Sequence, residues 1–437
     1  MPSGPAVLPG PRGRILVGNH YDYERDRPGF LRDCQRRYGD VFRFGPNAVV
    51  LADPELIHQI LSDTGTAFTM ATRPGQDVTE LIEDEHIWMQ ARRRSAQSLG
   101  RRVLSAHGAR LRRTFAAGFA AVAGQTIDVP KAAQELCGRA AVDFCLHDAA
   151  ESVAPAAAML NRLALADIER PRRASGWLHL PWQRRLRASD RDTLEMLTRT
   201  VLARQSHPQP ATPRDMLDVL LAPGNRRPMT TREIARLLRL VLSASHGVPG
   251  AALSWIVHEL SARPPILTDV RAESGALPEL VDTANSRLMP FTRAVVLEVL
   301  RLRPPTWLLG RTAAQPTMLG RWALRPGERV LFSPYLVHRD PRWWKRPDEF
   351  NPHRWLAADP PHTARAYFPF GAGPRVCLGA QLGLLQLMIA TAQLAAGYDL
   401  EPVDATEMVP HFGALLVPVG LQARLRPSHD PQLQHEI

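Results

Sequence analysis

The chain has 437 residues, of which 45% are hydrophobic and 22% charged, so it can bury a sizeable core and is not disordered in composition. Its formal net charge of +11 comes almost wholly from arginine, since Lys131 and Lys345 are the only lysines among 54 basic residues. No basic stripe interleaved with aromatic residues is present, which argues against nucleic-acid binding. The positive balance suits an acidic protein partner or an anionic substrate.

The four cysteines, Cys34, Cys137, Cys145 and Cys377, show neither paired spacing nor a zinc pattern, so we expect a reduced, cytoplasmic compartment. Residues 1–14 are rich in Pro and Gly and contain no apolar run long enough for a signal peptide or a membrane anchor. Because no linker divides the remainder, we predict a single domain over residues 15–437.

The first predicted elements form a helix, a hairpin and a second helix. An amphipathic helix ends near Tyr38, and β-rich runs at residues 40–45 and 48–52 flank a Gly-Pro-Asn turn. Asp53 then precedes a proline, a combination typical of a helix N-terminus, and the helix is predicted to continue to Leu61.

The middle of the chain is predicted to be largely helical from residue 105 to 204, with a break at residues 171–181. A long helix follows from Thr231 towards Arg263. Pro249 in that helix has no backbone N–H and is expected to kink it. His246 lies close by, and a structural role is favoured over an acid role because a lone histidine is weak evidence for catalysis.

Two later stretches carry charged side chains in defined spacings. Glu298 and Arg301 lie three residues apart, on one face of a predicted helix that ends at Pro304-Pro305, and suit a charge-assisted pair. A terminal hairpin is predicted from Pro410 to Leu425, with its turn around residues 414–417.

The most informative stretch is residues 370–379, with the sequence Phe-Gly-Ala-Gly-Pro-Arg-Val-Cys-Leu-Gly. Gly371 and Gly373 permit a tight turn and the close approach of a flat ligand. Cys377 precedes a long apolar run of helical length, and the N-terminus of a helix favours the thiolate form. Arg375 adds a cation that can pair with an acidic cofactor group. This pattern indicates a thiolate metal ligand rather than an inert core thiol.

Phe370, Gly373, Arg375, Cys377 and Gly379 together resemble the haem-binding loop of the cytochrome P-450 family, Phe-x-x-Gly-x-Arg-x-Cys-x-Gly. The resemblance covers roughly residues 8–427, with three motifs in the family's order. It implies a mainly α fold with a small β-rich subdomain, haem b as cofactor, and the cysteine as axial ligand of the iron.

The resemblance also implies roles for individual residues. Trp88 and Arg92 share one helix face and are expected at the haem propionates, although His86 keeps the register open. His338 is expected either at a propionate or in a hydrogen bond within its loop. The cofactor-binding residues expected on this basis are Trp88, Arg92, Arg311, His338, Phe370, Gly371, Arg375, Cys377 and Gly379.

Two further groups follow from the same resemblance. Glu298, Arg301 and Arg354 are expected to lock the core beneath the haem loop, and are structural. The expected substrate pocket is apolar and is formed by Ala244, Val248, Leu308, Leu309, Ala414 and Leu415. The segment at residues 170–182 would lie over the active site.

The chain departs from the family at the centre of its long helix, which normally reads Ala/Gly-Gly-x-Asp/Glu-Thr. Gly247 stands at the position of the acid, Val248 at that of the alcohol, and Pro249 follows. The usual proton-delivery pair, an acid and an alcohol, is therefore missing. Gly247, Val248 and Pro249 are the three residues expected in its place at the catalytic centre.

The default expectation is an oxidoreductase, a monooxygenase of a hydrophobic small molecule such as a terpenoid, a polyketide or another secondary metabolite. Oxygen and electrons from a ferredoxin with its reductase would drive it, and the protein is expected to be a monomer. The missing acid and alcohol leave alternatives open: use of peroxide, oxygen activation assisted by the substrate, or a non-oxidative rearrangement or cyclisation, for example of an isoprenyl diphosphate. From another class, the chain could be a catalytically silent haem-binding protein.

Overall fold

The structure is a computed structural model of the chain. It describes residues 8–13, 18–70, 89, 101–169, 181–222, 228–359, 361–362, 365–403 and 408–428. Trp88 and Arg92 lie outside the described residues, as does most of the predicted break at residues 171–181, so those predictions stand as they were made.

Helices account for most of the described residues. In chain order they are α1 (His20–Arg25), α2 (Arg27–Tyr38), α3 (Pro54–Ser62), α4 (Arg101–Val122), α5 (Val129–Leu146), α6 (Ala150–Glu169), α7 (Pro181–Gln205), α8 (Met216–Leu221), α9 (Thr231–Ser261), α10 (Pro264–Glu273), α11 (Leu277–Thr283), α12 (Pro290–Leu302), α13 (Pro334–Val337) and α14 (Ala380–Gly397).

The strands are short and belong to small sheets. They are β1 (Val41–Gly45), β2 (Ala48–Leu51), β3 (Phe68–Met70), β4 (Thr126–Asp128), β5 (Leu309–Ala313), β6 (Thr317–Leu319), β7 (Trp322–Leu324), β8 (Arg329–Phe332), β9 (Tyr398–Pro402), β10 (Val409–Phe412), β11 (Leu416–Val419) and β12 (Gln422–Pro427). The predicted fold class, mainly α with a small β-rich part, is confirmed.

The chain divides into two compact units, each built from separate stretches of sequence. The first unit comprises Met1–Gln76 and Leu300–Cys377, and the second comprises Asp77–Val299 and Leu378–Ile437. The division into a short N-terminal segment and one domain stays a prediction.

The first unit contains the main sheet, whose strand order is β1-β2-β8-β5-β3. β2 runs parallel to β8, and the other neighbours are antiparallel. One face of this sheet packs on α3, and apolar residues of both make a single core. The predicted hairpin is confirmed as β1 and β2. Asp53 caps α3 as predicted, its Oδ1 accepting a hydrogen bond of 2.9 Å from the backbone N–H of Leu56.

The second unit is organised around α9, which spans 31 residues and begins at a capping box. Thr230 Oγ1 accepts from the N–H of Glu233 at 3.2 Å, and Glu233 Oε2 accepts from the N–H of Thr230 at 2.7 Å. Pro249 lies inside α9, which continues through it as one helix. The proline still removes one backbone hydrogen bond from the centre of the helix.

Two glycines allow α9 and α5 to cross closely. A Cβ atom on Gly250 of α9 would lie 2.6 Å from the Cα of Gln134 in α5, so only glycine permits this approach of the two backbones. A Cβ on Gly138 of α5 would lie 2.2 Å from the Cδ2 of His246. The imidazole of His246 therefore fills a notch that Gly138 leaves in the neighbouring helix.

Two helices of the described residues, α9 and α14, are long and apolar enough to cross a membrane by length and composition. In each, 61% of the apolar window is buried inside the protein, as expected of core helices. This is weak evidence for a membrane span.

Candidate functional site

The loop at residues 370–379 is closed by its own backbone hydrogen bonds. The N–H of Cys377 donates to the carbonyl of Phe370 at 2.8 Å, and the N–H of Val376 donates to the carbonyl of Gly373 at 3.1 Å. The side chain of Cys377 is exposed. α14 begins at Ala380, three residues later. The loop thus presents a thiol on a backbone of defined shape.

Gly371 and Gly373 of this loop are required for different reasons. Gly371 has a φ of +70° with open space around its missing Cβ, so its conformation alone favours glycine. Gly373 has a φ of +69°, and a Cβ there would lie 2.2 Å from the carbonyl oxygen of Leu61 at the end of α3. The close approach predicted for a flat ligand is, at Gly373, an approach to protein backbone. At Gly379 the φ is −88° and a Cβ would meet nothing within 4 Å.

The other three thiols have environments unsuited to metal binding. Cys34, Cys137 and Cys145 are all buried. Burial raises the pKa of Cys34 to about 11 and that of Cys137 to about 12, and it also raises the pKa of Cys145. These thiols therefore stay protonated at neutral pH, which leaves the exposed Cys377 as the thiolate candidate.

Arg311 is held in place by the first unit. It lies on β5 and is 4% exposed; its Nε donates to Thr64 Oγ1 at 3.0 Å and its Nη1 to the carbonyl of Gly310 at 2.8 Å. Its guanidinium carbon is 5.9 Å from the centroid of the Phe332 ring. Arg375 is half-buried at the end of a short 3₁₀ turn of the loop. Their roles at the propionates remain predictions.

His338 does not fit its predicted role at a propionate. The ring is fully buried; Nδ1 lies 3.3 Å from the carbonyl oxygen of Arg301, and Nε2 accepts a hydrogen bond of 3.1 Å from the N–H of Phe368. Burial lowers its pKa well below the usual value, so the imidazole is neutral. Of the two roles expected for His338, the geometry agrees with hydrogen bonding within the fold, because backbone groups engage both ring nitrogens. His338 joins α12 to the segment before the Cys377 loop.

Two of the three predicted structural residues, Arg301 and Arg354, meet at one loop. Arg301 donates to the carbonyl of Glu349 at 3.0 Å and to that of His338 at 2.7 Å, and Arg354 also reaches the Glu349 carbonyl, at 3.3 Å. Glu298 and Arg301 are both 0% exposed. Charged groups buried this deeply are maintained by hydrogen bonding, which agrees with a structural role.

The centre of α9 has an exposed apolar face. Ala244 and Val248 lie one turn apart and are exposed, Val248 to 36%, on a helix that is buried over most of its length. Gly247 is buried, and a Cβ there would lie 2.8 Å from Leu415 Cδ1 and 3.2 Å from Leu165 Cδ1. The structure therefore brings Gly247 close to Leu415, a residue of the predicted substrate pocket.

His246 points away from the exposed face of α9. It is 4% exposed, and its Nδ1 donates to the carbonyl of Leu242 on its own helix at 2.7 Å. Burial in the notch at Gly138 lowers its pKa, so it is a neutral packing residue. The geometry agrees with the structural role favoured for it.

The hairpin of β10 and β11 is anchored at both ends of its turn. Trp255 Nε1 on α9 donates to the carbonyl of Leu416 at 3.0 Å, and the N–H of Ala414 donates to Glu169 Oε1 at 3.3 Å. Sequence reasoning missed Glu169 and Trp255 because they are distant in the chain and carry no local motif. In the first unit, Leu308 and Leu309 are half-buried at the start of β5.

These residues fit a haem. Among the described residues, no group of three or more His, Cys, Asp and Glu side chains is placed to hold a bare metal ion. The loop offers one exposed thiol beside an arginine, which suits an iron already held by a macrocycle and needing one axial ligand. In the second unit, the exposed apolar stretch at Ala244 and Val248 is the kind of surface that an apolar ligand covers.

Comparison with known proteins agrees with this geometry. The family model described as Cytochrome P-450 matches residues 169–423. The crystal structure of the heme domain of cytochrome P450DA has a TM-score of 0.80 with 18% identity, covering 97% of each chain. The chain belongs to the cytochrome P-450 family.

Two curated relatives come from Streptomyces melanosporofaciens. Cyclooctatin synthase is 35% identical over 188 residues, which are 42% of this chain and 40% of that protein. Cyclooctat-9-en-7-ol 5-monooxygenase is 30% identical over 203 residues, which are 44% of each chain. The matched part thus spans less than half the length of these relatives.

Proposed function

We propose that the protein is a haem-thiolate monooxygenase that oxidises a hydrophobic small molecule of the terpenoid class, with oxygen and electrons from a ferredoxin-type partner. The observation that carries the proposal is the exposed Cys377 on its closed loop, in a chain of this family. Terpenoid substrates are supported by the name of a relative, a monooxygenase of cyclooctat-9-en-7-ol.

In this proposal each residue has a definite task. Haem b, when bound, supplies oxygen activation, and a cysteine ligand increases the electron density available for O–O cleavage. The hydrogen bond between the Cys377 N–H and the Phe370 carbonyl fixes the position of the thiolate. Arg311 and Arg375 would bind the haem carboxylates, since guanidinium–carboxylate contacts are strong and directional. Ala244 and Val248 form an apolar wall that binds the substrate and excludes water.

A second candidate function rests on the centre of α9. Gly247, Val248 and Pro249 carry no side chain that can donate a proton, and His246 is turned into its notch. General acid help is typically worth about 100- to 10,000-fold, so the proton must come from elsewhere. A peroxide oxidant, a protic group of the substrate or a reaction without oxygen would each meet this requirement. A silent haem-binding protein is the remaining alternative.

Turnover under three conditions separates these functions. Cyclooctat-9-en-7-ol and a panel of terpene hydrocarbons would be incubated with ferredoxin, reductase and oxygen, with hydrogen peroxide alone, and with neither. Oxidised product under the first condition supports the monooxygenase, and product under peroxide alone supports a peroxygenase. Product with neither oxidant indicates rearrangement or cyclisation. A haem-loaded protein that gives no product under any condition would contradict the proposed enzyme.

We further propose that the protein is a cytoplasmic monomer, which associates with its electron donor through opposite charge. A net charge of +11 favours an acidic ferredoxin and makes association faster at low ionic strength. Gel filtration tests whether the protein is a monomer. The salt dependence of the rate of reduction by an acidic ferredoxin tests association through charge, and a rate independent of salt would contradict it.

A further inference from the structure

A cavity of about 570 Å³ lies in the second unit and shares no lining residue with the candidate site. Its walls are one face of α4, the turn at residues 274–278, the C-terminal end of α14 and the end of β12. The lining is mostly small or apolar, and includes Ala116, Phe119, Ala120, Gly275, Leu277 and Gly397. A volume of this size is in the range of small-molecule sites, roughly 300–1,000 Å³.

One polar side chain in this lining lacks its partner. Gln393 of α14 is 8% exposed, and its Oε1 is buried without a hydrogen-bond partner among the described residues. A buried amide oxygen left without a donor is unfavourable, and such groups are rare in folded proteins. An amide in this position calls for a ligand group that can donate a hydrogen bond.

The remaining polar groups near the cavity are satisfied or neutral. Ser274 Oγ lies 3.2 Å from the carbonyl oxygens of Val270 and Ala392. Burial raises the pKa of Tyr398, whose ring packs edge-on against Phe119 at 6.2 Å. Arg112 also lines the cavity but has an interaction of its own with another group, so Gln393 is the polar side chain of this lining whose buried oxygen lacks a donor among the described residues.

The C-terminal end of α14, which is one wall of the cavity, is hydrogen-bonded to a neighbouring helix. Arg271 donates to the carbonyl of Ala395 at 2.6 Å and to that of Tyr398 at 3.0 Å, and pairs with Asp399 at 2.8 Å. These bonds tie the C-terminal end of α14 to α10. The site is therefore preformed, which lowers the entropic penalty of binding.

We propose that this cavity is a second binding site, which takes a small apolar molecule with a single hydroxyl group and hydrogen-bonds that hydroxyl to Gln393. A hydroxyl both donates and accepts, so it matches either face of an amide. The apolar remainder of the ligand would cover the alanines of α4 and the ring of Phe119. The site is independent of the Cys377 loop and of the oxidation proposed above.

Calorimetric titration of the haem-loaded protein with 1-octanol tests the site. Octyl methyl ether, which cannot donate, and octanoate, which is charged, are the matched probes. The haem absorbance spectrum, recorded in parallel, reports binding next to the iron. We expect a class of octanol sites that leaves this spectrum unchanged and binds the ether at least 10-fold more weakly. Octanoate binding more tightly than octanol would contradict the neutral ligand class.

Two substitutions locate that class of sites. Gln393→Leu removes the amide, and it should weaken the binding of octanol at least 10-fold, to the affinity with which the ether binds. Gly275→Leu places a side chain where a Cβ meets nothing within 4 Å and should abolish binding by filling the cavity. Gly45→Leu, whose Cβ also meets nothing within 4 Å but lies on β1, is the control. Octanol binding that is equal in all three variants, or an ether that binds as tightly as the alcohol, would overturn the proposal.

Discussion

At the scale of single residues, the candidate site depends on positions where one atom more would not fit. Gly373 is the clearest example, because its missing Cβ is the space occupied by the carbonyl of Leu61. Cys377 differs from the other three cysteines because its thiol is exposed and theirs are buried. His107, unlike Cys377, is a titratable group that is deeply buried, so we expect it to affect stability rather than chemistry.

Gly373→Ala should destabilise the loop more than Gly371→Ala does. Both substitutions force alanine into a left-handed conformation, which costs roughly 1–2 kcal/mol, but only Gly373 also meets backbone, at 2.2 Å. Thermal unfolding and haem retention after gel filtration measure the difference. Gly379→Ala, with a φ of −88° and open space, is the control and should change neither. Equal losses at Gly371 and Gly373 would show that the contact with Leu61 is unimportant.

We expect the stability of the protein to decrease as the pH is lowered, because His107 is buried. Burial lowers its pKa to about 3, whereas an unfolded histidine titrates near its ordinary 6.5. Between these values the unfolded chain binds the additional proton, so stability is complete above pH 6.5 and is lost as the pH falls. The loss is up to about 1.4 kcal/mol per pH unit.

His107→Gln tests this, because the amide oxygen can still accept the hydrogen bond that Arg110 donates to Nδ1 at 2.9 Å. Urea unfolding of the haem-loaded protein at pH 6, 5 and 4 should show a smaller dependence on pH in this variant. His20→Gln, at a side chain 69% exposed, should retain the original dependence. The same slope in both variants would mean that His107 does not contribute.

At the scale of elements, the crossing of α5 and α9 explains why the central helix has its unusual sequence. Gly250 and Gly138 each remove a Cβ at the contact, one against backbone and the other against an imidazole. Asn161 Nδ2 of α6 donates to the carbonyl of Ser243 at 2.9 Å, which holds the helix at a residue before Pro249. The stretch without an acid is therefore a packed junction of three helices.

Gly138→Ala should destabilise the protein, and His246→Ala should relieve part of the loss. The new Cβ would meet His246 Cδ2 at 2.2 Å, and overpacking of this kind typically costs about 1–3 kcal/mol. In a double-mutant cycle measured by urea unfolding, we expect a favourable coupling of at least about 1 kcal/mol. Gly250→Ala, which meets the backbone of Gln134, should gain nothing from His246→Ala. Strictly additive effects at Gly138 and His246 would be inconsistent with the notch.

Gly247→Glu should increase the product formed per electron consumed, if the missing acid limits oxygen chemistry. Leu415→Ala is combined with it, because Leu415 Cδ1 lies 2.8 Å from the position of the new Cβ. Gly247→Gln with Leu415→Ala has the same shape without the acid, and is the matched control. The measurement is product against electrons consumed, for one substrate that the unmodified enzyme turns over. Tight coupling of an inert, non-protic substrate in the unmodified enzyme would show that no acid is missing.

At the scale of the whole molecule, the sequence predicts what is local. The motif around Cys377, the Asp53 cap and the hairpin of β1 and β2 each depend on neighbours in the chain, and the structure has the closed loop, the cap and the hairpin. Contacts between distant segments were predicted only where the family resemblance implied them, as for Arg301 and Arg354. Nothing near Gly138 indicates His246, and nothing near Gly373 indicates Leu61, because the partner lies on another element.

His338 shows how a family resemblance can leave two roles open for one residue. Its position in the chain agreed with a propionate contact, but the backbone N–H of Phe368, 30 residues away, occupies its Nε2. Val248 shows the reverse, since its predicted place in the pocket agrees with its exposure on α9. In both cases the deciding quantity is burial, which a single sequence does not contain.

We propose that Cys377 supplies the thiolate ligand of a haem, and the carbon monoxide difference spectrum of the reduced protein is the direct test of that role. The unmodified protein should show the band typical of thiolate haem. Cys377→His should lose that band while still binding haem, and Cys34→Ala, at a buried thiol, should keep it. A Cys377→His protein that retains the thiolate band would contradict the account.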